Sequence, residues 1–148
     1  MSGGQTGVDR AGLDAAFDAG ITSGGYCPKG RRAEDGVIPE RYPLIETEEK
    51  NYKIRTERNV IESDGTLILN QGSLTGGTLL TLQYARKHQK PVCVIQLENT
   101  DISAVHQWGS QYGVKILNIA GPRESKFPDG IYESAMKFLQ SLFVEDRS

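Results

Sequence analysis

The 148-residue chain is poor in cysteine, tryptophan and histidine, with two, one and two of them respectively. It also lacks any apolar run near the ~18 residues that a membrane span requires. Two cysteines, Cys27 and Cys93, are too few for a disulfide framework, and no CxxC pair points to zinc, so no metal site is expected. The start, Met1-Ser2-Gly3-Gly4, has no basic segment followed by an apolar stretch, so no signal peptide is expected. These absences lead to the expectation of a cytoplasmic protein with reduced thiols and no membrane partner. Neither sign of charge dominates: 17 basic and 19 acidic residues leave a formal net charge of -2. A general nucleic-acid binder would carry a basic excess, so no nucleic-acid partner is expected.

Glycine is abundant. Seventeen glycines exceed the average share of roughly 7%, and they cluster beside apolar runs rather than spreading as a linker would. A chain of this length fits one domain, residues 1–148, and buries roughly 70% of its unfolded surface.

Residues 8–19 read as a helix with Leu13 and Phe17 on one face, small residues at Ala11, Gly12, Ala15 and Ala16, and Gly20 as its C-cap. Residues 21–26 read as a short strand weakened by two glycines. Residues 27–43 form a long, turn-rich segment that Tyr26, Val37, Ile38, Tyr42 and Leu44 are expected to anchor. A helix over 51–63, a buried strand over 66–69, a loop over 70–77 and a helix over 78–88 follow. Residues 91–97 make the clearest strand, followed by a helix at 103–112 and a strand at 114–119. Ile131, Ala135, Phe138, Leu139 and Leu142 mark a C-terminal amphipathic helix. Strands alternating with helices indicate an α/β protein with a mainly parallel, doubly wound sheet. The first glycine loop should follow a strand, yet only Met1 and Ser2 precede it, so that strand is expected to be cut short.

Three motifs carry chemistry. In Ser2-Gly3-Gly4-Gln5-Thr6-Gly7-Val8-Asp9-Arg10, glycines let the backbone approach a ligand and the helix start offers free N–H donors, a ready anion site. It is neither a GKS/GKT P-loop nor GxGxxG. Gly72-Ser73-Leu74-Thr75-Gly76-Gly77-Thr78 repeats that physics between a strand and a helix, and two such loops would meet at the carboxyl edge of a parallel sheet. Lys29, Arg31, Arg32 and Arg55 form a local basic excess suited to a phosphate, with ion pairs to Glu34 and Asp35 as the competing use. The candidate ligand-binding residues are therefore Gly3, Gly4, Gln5, Thr6, Gly7, Asp9, Arg10, Lys29, Arg31, Arg55, Gly76, Gly77 and Thr78. Catalytic groups are thin. His88 and His106 lie on helices without visible partners, Trp108 reads as packing, and Cys27 beside Lys29 is a candidate for a lowered thiol pKa.

On Ser2–Ala11, Gly24-Gly25-Tyr26-Cys27-Pro28-Lys29-Gly30-Arg31, Ala33-Glu34-Asp35-Gly36, Arg41-Tyr42-Pro43-Leu44, Arg55-Thr56, Asn59 and Gly76-Gly77-Thr78, the chain resembles the molybdenum carrier protein family. That family is similar to the lonely-guy and lysine-decarboxylase-like group. The resemblance implies a single Rossmann-like three-layer domain and adds Asn59 to the candidate site. It implies a phosphate-bearing nucleotide-like or pterin ligand, with the molybdenum cofactor (molybdopterin) as cargo, and a homodimer. Members of the wider group hydrolyse nucleoside monophosphates with a Glu after the glycine-threonine element; no acid occupies Thr78 to Arg86. A carrier is the leading reading. A nucleotide or phosphoribosyl hydrolase or transferase using Asp9, Asp35 or Asp64 is the alternative, and a sensor of a nucleotide-derived signal the third.

Overall fold

Six successive buried residues, Gly65-Thr66-Leu67-Ile68-Leu69-Asn70, form β5 (Gly65–Asn70) at the centre of the sheet. A strand covered on both faces reads as a continuous rather than an alternating apolar run, which is why its signal was strong in so short a stretch. The computed structural model describes residues 1–147. Its elements in chain order are α1 (Val8–Asp18), β1 (Tyr26–Cys27), β2 (Arg32–Ala33), β3 (Gly36–Val37), β4 (Ile45–Glu46), α2 (Tyr52–Glu62), β5, α3 (Gly76–Lys87), β6 (Val92–Gln96), α4 (Ile102–Gln111), β7 (Leu117–Ala120), a 3-10 turn (Glu124–Lys126) and α5 (Tyr132–Arg147).

β5 pairs in parallel with β6 on one side (Leu67 opposite Cys93) and with β7 on the other (Thr66 opposite Asn118). Met1 and Ser2 extend this order. The Ile119 amide donates to the Met1 carbonyl, the Met1 amino group donates to the Leu117 carbonyl, and the Ser2 amide donates to the Gly24 carbonyl. Beyond them lie β1 and β4, themselves parallel (Tyr26 opposite Ile45). Met1 and Ser2, ahead of the first glycine loop, are thus held on both sides. Gly25 lets the chains meet: its φ is +142°, and a Cβ there would sit 2.0 Å from the Ser2 carbonyl oxygen.

Side chains alternate across β5. Leu67 and Leu69 join Val8, Ala11 and Ala15 of α1, Ile119 of β7, Val105 of α4 and Ala135, Phe138 and Leu139 of α5 in the main core. On the other face α2 and α3 pack on each other and on the sheet, burying Val60, Leu82 and Ala85. The result is the expected three-layer α/β domain. α1 ends in a Schellman motif: Gly20 (φ +71°) donates to the Phe17 carbonyl and Ile21 to that of Ala16. Phe17 departs from the expectation that it shares Leu13's buried face. It is 82% exposed, on the solvent side of the last turn of α1, whose Ala15 and Ala16, with Ala19 just beyond, take the side that packs on the core.

After Cys27 at the end of β1, the segment to residue 43 contains only the small antiparallel pair β2–β3 (Arg32 opposite Val37). Ile38, Tyr42 and Leu44 anchor the segment against Leu13 and Cys27, as expected. Val37 does not; it is 72% exposed at the hairpin. Tyr26 is half-buried with the Arg58 guanidinium 4.4 Å from its ring centroid. Tyr42 and Tyr132 both donate to the Asp14 carboxylate, tying the segment and α5 to α1.

Candidate functional site

The loops that end in α1 and α3 do meet. Gly3, Gln5 and Asp9, Gly76, Gly77 and Thr78, and the residues leaving β7 (Ala120–Pro122) line one cleft of about 460 Å³. All three follow strands of the parallel sheet, so the cleft opens at its carboxyl edge, where α/β sheets bind ligands. Five basic side chains line it (Arg32, Lys50, Arg55, Arg123, Lys126) against two acidic ones, Asp9 and Glu34.

α3 brings its amino end to the cleft without a side-chain cap. Asn51 caps α2 by accepting from the Lys53 amide, and Asp101 caps α4 by accepting from that of Ala104, whereas the Thr75 side chain makes no such bond. The first-turn N–H groups of α3 and the positive end of its dipole are therefore available to an anion. Thr78 is buried at the cleft wall, and the Tyr52 ring stands 3.8 Å from where a Cβ on Gly77 would be.

Arg55, near the start of α2, reaches across the first glycine loop. Its Nη1 donates to Asp9 Oδ2 at 3.1 Å, and a Cβ on Gly3 would lie 1.6 Å from that same nitrogen. A side chain at Gly3 would therefore have to displace the guanidinium from this position. The Gln5 amide also donates to Asp9 Oδ2, at 3.3 Å. Arg55 Nε is buried with no partner among the described residues, leaving the guanidinium with donors to spare. Burial pushes the Asp9 carboxyl pKa up, against the opposing pull of Arg55, Gln5 and Arg10.

The loop geometry is set by polar contacts no short motif advertises. Gln5 Oε1 accepts from the amides of Thr6 (3.0 Å) and Glu34 (2.8 Å). Glu34 in turn accepts from Thr6 Oγ1 and from the amide (3.1 Å) and hydroxyl (2.5 Å) of Ser125. Burial raises its pKa, but the Ser125 and Thr6 bonds prevail and hold it below the usual carboxylate range.

Several candidates serve the scaffold instead of lining the cleft. Arg31 does not reach it: its guanidinium donates to the carbonyls of Ile38, Pro39, Tyr42 and Leu44 (2.9–3.2 Å), closing the 31–44 loop. Arg10 donates to the Gly4 carbonyl and grips Asp35 with both terminal nitrogens at 2.8 and 2.9 Å. Asn59 exchanges two bonds with the Tyr26 backbone, fastening α2 to β1. Gly4 (φ +79°) packs on Leu44 and Ile38, and Gly7 (φ +81°) on the backbone at Pro122–Glu124. Lys29 is exposed and outside the cleft lining. Cys27 is fully buried and burial raises its thiol pKa, which overrides the Arg31 charge and reverses the lowered value expected. His88 has a partner after all, Glu57 on α2 at 2.7 Å.

Lys50, Tyr52, Arg123 and Lys126 were not singled out from the sequence. Only the turn signal Gly121-Pro122 after a strand could have drawn attention to the last two. Among the described residues no group of three or more His, Cys, Asp or Glu could hold a metal ion, and no helix is long and apolar enough to cross a membrane.

The comparisons agree with this architecture. A solved structure described as a "Putative molybdenum carrier protein", from Syntrophus aciditrophicus, is 45% identical, superposes with a TM-score of 0.91, and is matched over 97% of this chain and 92% of its own. The resemblance read from the glycine motifs is thereby supported in both fold and family. No functionally curated protein matches the chain. Residues 1–143 match the circularly permutated YpsA SLOG family, and the chain belongs to it.

Proposed function

We propose that the chain is a carrier that holds a phosphate-bearing, nucleotide-like or pterin ligand in this cleft, with the molybdenum cofactor as its cargo. The observation that carries the reading is the uncapped amino end of α3 in the same cleft as Arg55, a buried arginine with unspent donors. Helix amides and a guanidinium together make a charge-assisted oxyanion site. The cargo's identity draws on the molybdenum-carrier description of the Syntrophus aciditrophicus neighbour. A carrier is favoured over a hydrolase because Asp35, held by Arg10, and Asp64, held by the amides of Lys115 and Ile116, lie outside the cleft lining, and Asp9 commits one carboxylate oxygen to Arg55.

Mass spectrometry of small molecules released from the purified protein, with elemental analysis for molybdenum, tests the reading. The expected result is a phosphorylated pterin with molybdenum after loading with the cofactor. Finding neither after loading overturns the carrier. Release of free base from nucleoside monophosphates would replace it with the hydrolase.

A further inference from the structure

The cleft contains a group that a bare oxyanion site does not need. Asp9 is 4% exposed and lies among basic side chains, where its charge opposes any incoming anion. Its Oδ2 is used by Arg55 Nη1 and the Gln5 amide, while Oδ1 accepts no hydrogen bond within the described residues. Thr78, 5% exposed in the first turn of α3, likewise lines the cleft with a hydroxyl that makes no hydrogen bond among the described residues. Neither oxygen is sealed inside the protein, so both open onto the cleft as polar groups that a ligand there can engage. The volume of about 460 Å³ falls within the ~300–1,000 Å³ typical of organic-ligand sites, well beyond one tetrahedral oxyanion.

We infer that Asp9 determines the specificity of the cleft: its Oδ1 accepts a hydrogen bond from a hydroxyl or N–H on the organic body of a phosphorylated ligand, whose phosphate lies against Thr78 and the first-turn amides of α3. The inference rests on the anion-cleft reading above and narrows it. Bare phosphate or molybdate satisfies the α3 end alone and meets the repulsion of Asp9 without the compensating bond. A ligand carrying both groups gains at each end. A site built to receive a donor discriminates strongly against a molecule lacking it.

Titration calorimetry with inorganic phosphate, molybdate and guanosine monophosphate, on the native chain and on Asp9→Asn and Asp9→Ala, tests this. Guanosine monophosphate joins a phosphate to hydroxyl and N–H donors. The native chain is expected to bind it at least about tenfold more tightly than phosphate or molybdate. Both variants should lose about tenfold for the nucleotide, the scale of one hydrogen bond to a charged group, while phosphate affinity holds or rises. Asp9→Asn keeps the side-chain volume and an acceptor for Arg55, so it reads out specificity even if the alanine variant folds poorly. Equal losses for phosphate and nucleotide would show that Asp9 only positions Arg55, and overturn the inference alone. So would a native chain that binds phosphate as tightly as the nucleotide, or a variant that loses nothing. A native chain that binds neither overturns the anion cleft and this inference together.

Discussion

Arg55→Ala is expected to weaken binding of inorganic phosphate by about 10- to 100-fold and also to destabilise the fold. The binding loss follows from removing a guanidinium with unspent donors from the cleft. A hydrogen bond to a charged group contributes roughly 1.5–3 kcal/mol, and about 1.4 kcal/mol is one decade of affinity. The stability loss has another origin. The Asp9 side chain, 6% exposed, would lose its cation. Stranding one member of a buried pair costs about 3–5 kcal/mol, reduced here because the carboxyl escapes by taking up a proton. Asp9 already has a raised pKa from burial. A carboxyl whose folded-state pKa lies above its unfolded value carries a cost that is present above the folded pKa and relieved as pH falls through it. The deficit of Arg55→Ala relative to the native chain should therefore be largest at neutral pH and shrink under acid. Calorimetric titration with phosphate and denaturant unfolding at several pH values check both parts. Undiminished phosphate binding would remove Arg55 from the site.

Gly25→Ala is expected to be the most disruptive single-methyl change in the chain, costing about 4 kcal/mol or more. The new Cβ would stand 2.0 Å from the Ser2 carbonyl oxygen and 2.8 Å from its nitrogen, both backbone atoms that no rotamer change moves aside. The φ of +142° adds strain for any residue with a side chain. Relief would require separating Ser2 from Gly24, whose hydrogen bond joins Met1–Ser2 to the β1 side of the sheet. Losses this large come only from a few mechanisms, backbone strain and core overpacking among them. For a chain of this size each kcal/mol shifts Tm by roughly 2–4 °C, so a drop of about 10 °C is expected in a thermal melt. A melt within 2 °C of the native chain would mean that Ser2 and Gly25 are not in contact. Gly20→Ala is the comparison, since a Cβ there meets nothing within 4 Å although its φ is also positive.

The core and the two glycine loops were legible because each depends on local pattern. β5 and β6 announce themselves as apolar runs, α5 by its periodic Ala135, Phe138 and Leu142 with Ile131 just ahead of it, and the loops by glycines ahead of helices. Their meeting in one cleft followed from parallel-sheet geometry alone. What was not legible depends on partners remote in sequence. Arg31 looks like a phosphate ligand until the chain folds four carbonyls around it. Asn59 looks like a site residue, yet it bonds the Tyr26 backbone 33 positions away. Arg123 and Lys126 join the cleft only because β7 delivers the following turn beside the first glycine loop. The two residues Met1–Ser2 carry too little pattern to register as a strand; their place between β7 and β1 is visible only in the hydrogen bonds.

The central claim is that the amino end of α3 and Arg55 form an anion site, and an amide-resolved NMR titration with inorganic phosphate tests it most directly. The account predicts saturable shifts of the Gly76, Gly77 and Thr78 amides and of the Arg55 Nε–H, fitting one dissociation constant, with the amide shifts moving to about 10- to 100-fold higher phosphate in Arg55→Ala. Saturable shifts confined to the other large cavity, around Met1, Trp108 and Leu142, with these four signals unmoved, would contradict it.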